Sequence, residues 1–157
     1  MTTPTHIPVL LDDCLDALAP ALSGPAAIVI DGTLGLGGHT EAILDRFPGV
    51  TVVGIDRDTF ALSHASHRLA RFGERFVAVH TTYDDIAQAL SAAGARAADG
   101  ILLDLGVSSM QIDDSDRGFA YSVDAPLDMR MDTTTEVTAA DIIREYDVRE
   151  LERIFRE

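Results

Sequence analysis

The chain contains no lysine. Its twelve basic side chains are all arginines, set against 26 aspartates and glutamates, for a formal net charge of -14. Taken alone, this balance speaks against a nucleic-acid-binding surface, which would carry a basic patch. The acidity is heaviest from Asp99 onward, where fifteen acids face six arginines. That stretch reads as a solvated acidic surface, or as part of a protein whose basic partner surface lies outside this chain. A single cysteine, Cys14, excludes an internal disulfide and fits a reducing cytoplasm. It falls in an apolar helical pattern and reads as an inert core thiol. No apolar run approaches the roughly 20 residues that cross a bilayer. Residues 1–8 lack a basic region leading into an apolar core, so neither membrane contact nor a secretion signal is expected. Cysteine clusters and helical His–Glu pairs are missing too, so His64, His67 and His80 read as surface or packing residues and no metal site is expected.

What is present is enough for one domain with a real core, at 157 residues and 46% hydrophobic content. Short β-branched runs alternate with helical patterns. Val9, Leu11, Cys14, Leu15 and Leu18 predict a helix over 8–19, stopped near Pro20. Strands are predicted at 26–30, 51–56, 76–80 and 100–104, with helices at 38–47, 58–71 and 84–93 between them. The strand ends fall at Asp31, Asp56, His80 and Asp104, each 24 or 25 residues after the last. That is the period of successive strand–helix units, which right-handed crossovers turn into a parallel sheet. Residues 105–132 have no clear period, and a loop so long is usually functional or mobile. From Thr138 a helical pattern runs to the last residue. Four parallel strands with no return strand suggest an unfinished fold, so the chain is expected to be a fragment.

The stretch Ile28–His39 organises the rest: a buried strand, a turn containing Gly35, Gly37 and Gly38, then a helix start. Such a turn lets backbone come close to a ligand, with helix amides aimed at it. Asp31 is a poor neighbour for phosphate and argues for a ligand bearing amino and hydroxyl groups. Thr40 stands where a dinucleotide fingerprint has its third glycine, which weakens a nicotinamide reading without removing it. Asp56, about twenty residues on, suits both hydroxyls of an adenosine ribose, with Asp58 the better helix cap. Asp104 ends the fourth strand, at the sheet edge where such folds bind ligands. Tyr83, just past strand three, is placed to lie against an adenine ring or to be an ordinary half-buried tyrosine. His39 sits at the helix start. Gly106–Met110 lacks the second glycine of a nucleophile elbow, and Asp113–Gly118 lacks the alternation of a calcium loop. Arg117 and Arg130 lie among many acids, either as an internally bridged loop or as a lid or hinge.

Several blocks then occur in a fixed order: His6–Leu11, Asp31–His39, Asp56-Arg-Asp58, Asp99–Ser109 with its Leu-Asp-Leu-Gly-Val-Ser-Ser, Gln111-Ile-Asp113, Arg117-Gly-Phe119, and Pro126-Leu-Asp-Met-Arg-Met-Asp132. In these the chain closely resembles the RsmH (MraW) family of ribosomal RNA small subunit cytosine N4-methyltransferases, over nearly its whole length. The last two long blocks are far more specific than any glycine loop. The resemblance implies a Rossmann-like class I S-adenosylmethionine-dependent methyltransferase fold, cut short here. It implies S-adenosyl-L-methionine as cofactor, with contacts at Gly37, Gly38, His39, Asp56, Tyr83, Asp104 and Gln111. Tyr83 stands where phenylalanine is usual, and Met110 replaces a common proline in the turn that presents Gln111.

The same resemblance implies methylation of N4 of a decoding-centre cytidine in 16S rRNA of the small ribosomal subunit, in the cytoplasm. Family members are about twice as long and insert a helical domain after strand four. On that basis residues 1–118 are the cofactor-binding Rossmann-like domain, and 119–157 the start of the inserted substrate-recognition domain. Cytosine N4 is a poor nucleophile, and a carboxylate accepting its N–H bonds would concentrate charge on nitrogen. Asp104 is therefore the candidate catalytic residue, with a cofactor-only role beside it. An exposed edge next to strand four predicts self-association, as a homodimer. The competing readings are a cofactor-binding fragment without activity, an NAD-dependent oxidoreductase, and a noncatalytic interaction protein.

Overall fold

The structure, a computed structural model, describes residues 8–156, without the side chains of Ser109 and Met110. His6 and Ile7 of the N-terminal block, and the side chain of Met110, lie outside the described residues. The chain forms two compact units, one ending at Leu105 and the other beginning at Gly106.

The first unit contains α1 (Leu11–Leu18), β1 (Ile28–Asp31), α2 (Gly38–Arg46), β2 (Thr51–Asp56), α3 (Thr59–Leu69), β3 (Phe76–His80), α4 (Ile86–Ala92) and β4 (Gly100–Leu102). All pairings are parallel, in the order β3-β2-β1-β4. This is the Rossmann-like order, with β1 central and the reversal of strand order between β1 and β4. The central strands read as near-continuous apolar runs because both of their faces are buried. Val29 and Val52 face one layer, packed with Leu15, Ile43, Leu44 and Leu69. Ile30, Val53, Ile55 and Val79 face the other, beneath Ala89 of α4. Cys14 in α1 is only partly buried.

β4 ends at Leu102, two residues short of the predicted Asp104. Its partner explains the difference. The β1–β4 ladder closes at Asp31 opposite Leu102, and beyond Asp31 the β1 chain bends into the glycine turn. At the other end, Asp99 ties β4 to β1: its carboxylate accepts the Ile28 N–H at 2.7 Å and its own N–H donates to the Ile28 carbonyl at 2.7 Å.

The second unit holds α5 (Ser109–Asp113), α6 (Ala139–Glu145) and α7 (Val148–Arg156). The single helix predicted from Thr138 is two. Tyr146 is extended, and Asp147 starts a new helix: its carboxylate accepts the Arg149 and Glu150 N–H groups, and Glu150 accepts the Asp147 N–H. Between α5 and α6 the chain is held by polar bonds. The Arg130 guanidinium grips the Asp128 carboxylate at 2.7 and 2.9 Å, and Arg117 donates to the Arg130 and Met131 carbonyls. Gly118 is obligatory here: its φ is +71°, and a Cβ would stand 2.3 Å from the Pro126 carbonyl oxygen.

Candidate functional site

The turn after β1 is sewn to both neighbouring strands. On one side the Gly32 N–H donates to the Leu102 carbonyl at 2.9 Å, and the Thr33 hydroxyl accepts the Asp104 N–H at 2.6 Å. On the other, the Leu34 N–H donates to the Ile55 carbonyl at 3.0 Å, and the Asp56 carboxylate accepts the Gly35 N–H at 2.8 Å. Arg68 of α3 reaches the Leu36 carbonyl while paired with Glu41. The turn is thus set before any ligand arrives, at the carboxyl end of the sheet and at its switch point.

Asp56, Tyr83 and Asp104 are brought together around this turn. The second Asp56 oxygen accepts the Asp58 N–H at 2.9 Å, and Asp58 in turn caps α3 through the Phe60 N–H. Each carboxylate oxygen still has a lone pair for a hydroxyl group. Tyr83 is 45% exposed, and its Cβ and the Leu103 side chain both lie against Gly32. Asp104 is exposed, held by its N–H, and its carboxylate has no hydrogen bond among the described residues. Gly35, at φ +50°, has open space where a Cβ would stand apart from the Thr33 carbonyl at 3.9 Å.

The remaining predicted residues are placed differently. Gly37 and Gly38 back onto protein: a Cβ on Gly37 would meet Leu69 at 2.9 Å, and one on Gly38 would meet Pro8 at 2.6 Å. The His39 ring is buried with Nε2 3.0 Å from the Val9 carbonyl. What these three residues offer is main chain, since Gly37, in the cap position before α2, supplies no side-chain cap, whereas Asp58, Asp85 and Thr138 cap their helices. The first N–H groups of α2 have no intrahelical partner. Gln111 lies in the second unit, buried, its amide oxygen accepting the Ser108 N–H at 2.9 Å.

Asp31 departs from the expectation of a ligand-facing acid. It is 1% exposed, and its two oxygens accept the Thr33 N–H at 3.2 Å and the Thr40 hydroxyl at 2.7 Å. Burial pushes its carboxyl above the usual range, against the pull of the Thr40 and Thr33 bonds. It braces the turn from inside. Thr33, which helps complete that brace, was not singled out by sequence reasoning, and Thr40 was read only as the residue in place of a third glycine; a threonine two residues past a strand-end aspartate is the only local signal for Thr33.

The turn gathers groups of three kinds. Two carboxylates offer acceptors and negative charge, an uncapped helix end offers amides, and exposed Tyr83 and Leu103 offer apolar surface.

A family model described as the MraW methylase family matches residues 3–157. The ribosomal RNA small subunit methyltransferase H of Kocuria rhizophila is 60% identical over 152 residues, covering 96% of this chain and 46% of that protein. The protein of the same name from Mycobacteroides abscessus is 58% identical over 157 residues, covering 95% of this chain and 41% of that protein. The chain thus spans less than half the length of these relatives. A solved structure described as an rRNA methylase from Streptococcus thermophilus is 24% identical, covers 54% of this chain and 49% of that chain, and has a TM-score of 0.43, too low to carry weight.

Proposed function

The chain belongs to the MraW methylase family, and from that premise we propose that it is the cofactor-binding portion of an S-adenosyl-L-methionine-dependent enzyme that methylates N4 of a decoding-centre cytidine in 16S rRNA. Residues 1–118 form the cofactor-binding region, and 119–157 open the inserted substrate-recognition domain. The substrate is the small ribosomal subunit in the cytoplasm. The observation that carries the reading is the anchoring of Asp56 and Asp104 to one turn, through Gly35 and Thr33.

When bound, S-adenosyl-L-methionine supplies an electrophilic methyl group on a positively charged sulfur. Asp56 would accept the ribose hydroxyls, Tyr83 would lie against the adenine, and the main chain at Gly37, Gly38 and His39 would face the methionine part. Asp104 accepts from the cofactor and, as the candidate catalytic group, from an N–H of the target amine of a base extruded into the site. That acceptor would concentrate charge on N4 for methyl transfer and would take up the N–H proton that the amine loses. The protein's contribution is alignment of the two reactants.

Calorimetry tests the cofactor. S-adenosyl-L-methionine should bind with micromolar or tighter affinity and NAD should not; the reverse order would overturn the reading. Methylation of small ribosomal subunits, compared between this chain and a full-length family member, tests activity. Binding without transfer would identify this chain as the fragment without activity, a reading favoured by the shortness of the chain beside its relatives. Family membership leaves the oxidoreductase reading without support.

A further inference from the structure

We propose that Thr33 is a positioning residue for this site, its hydroxyl fixing where the Asp104 carboxylate stands. The inference rests on the reading of Asp104 as a site residue. The β1–β4 ladder ends at Leu102, and Asp104 lies two residues past it, one residue before the unit ends at Leu105. There the Asp104 N–H donates to Thr33 Oγ1 at 2.6 Å, and the carboxylate it positions has no other tie among the described residues.

Thr33 is itself fixed from below. Its N–H donates to Asp31, whose other oxygen accepts the hydroxyl of Thr40, a fully buried residue of α2. A polar chain therefore runs from the core through Thr40, Asp31 and Thr33 to an exposed acid. A β-branched side chain is stiff about its first torsion, so the direction of the hydroxyl is well defined. Thr33 also lies two residues from Gly35, which the Asp56 carboxylate holds. The spacing between the two acids is thereby set by one short piece of backbone.

Because Asp104 is exposed, water can satisfy its N–H once the hydroxyl is gone. Stability then changes little, but the position of the acid is lost. This separates a positioning role from a merely structural one.

The experiment compares Thr33→Val and Thr33→Ser with the unaltered chain, by amide hydrogen exchange at Asp104, calorimetry with S-adenosyl-L-methionine, and thermal melting. Thr33→Val should free the Asp104 amide and raise the Kd about three- to tenfold, the worth of one hydrogen bond, with melting nearly unchanged. Thr33→Ser, which keeps the hydroxyl on a less restricted torsion, should restore the larger part of both readouts. Normal binding by the unaltered chain with Asp104 exchange and Kd unmoved in Thr33→Val overturns the role of Thr33 alone. Failure of serine to rescue also overturns it. An unaltered chain that does not bind the cofactor overturns the cofactor reading, and the role of Thr33 in the site with it.

Discussion

At the scale of single residues, two acids of the same type and similar sequence context do different work. Asp56 carries backbone on both of its oxygens, Gly35 and Asp58, so an amide in its place would turn an N–H donor toward one of those donors. Asp56→Asn should lower stability by roughly 1–3 kcal/mol and weaken cofactor binding together, read by melting and calorimetry. Asp104 carries no backbone on its carboxylate among the described residues. Asp104→Asn should stay within about 0.5 kcal/mol of the parent in stability, as substitutions at exposed positions do, while weakening cofactor binding. If transfer slowed with affinity intact, Asp104 would act on the amine alone. Asp31 teaches the converse lesson. It ends a strand as Asp56 does, yet its neighbours Thr33 and Thr40 absorb it into the interior.

At the scale of elements, the second unit depends on polar bonds more than on packing, since none of the described residues of α6 and α7 is buried. Hydrogen bonds from Arg130 hold the Asp128 carboxyl down at about 2. The folded form thus binds this proton less tightly than the unfolded chain. Its contribution to stability is present above about pH 4 and is lost as pH falls through about 2. The Ala139 and Ala140 N–H groups donate to the Asp128 and Leu127 carbonyls, so their exchange reports on this loop. Their protection should fall between pH 4 and 2 in the parent and show no such step in Asp128→Asn; superimposable profiles would contradict the assignment. Asp147 offers a second test. Its Ala variant should cost the start of α7 about 1 kcal/mol, seen as faster exchange in the first turn of α7 with α6 unaffected. The break at Asp147 could have been read from Asp147-x-x-Glu150, a capping pattern that the apolar periodicity overshadowed.

For the molecule as a whole, β4 is an edge strand in this chain, and Ile101 on it is 50% exposed although its register partner, Ile30, is fully buried. An apolar edge of this kind is a template for pairing. Scattering over a concentration series should show dimers, diminished by Ile101→Lys; a strict monomer at every concentration would refute this. The strands were legible in the residues because each is a local pattern. Val52, Val53 and Ile55 are apolar whatever surrounds them, and β2 and β3 occupy the predicted 51–56 and 76–80. The period of strand and helix, with handedness of crossover, made the parallel sheet legible too. Residue types alone also marked the turn and placed acids near it. What they did not contain was the use of each acid, because a carboxylate is defined by what donates to it. Those partners come from remote segments: the Thr33 hydroxyl accepts the Asp104 N–H across 71 residues, and the Gly35 N–H reaches the Asp56 carboxylate across 21. The early end of β4 has the same origin, since a strand stops where its partner turns away. Local chemistry determined the elements and the neighbourhood of the site. Only the folded chain decided which aspartate is spent inside and which two are left beside the turn.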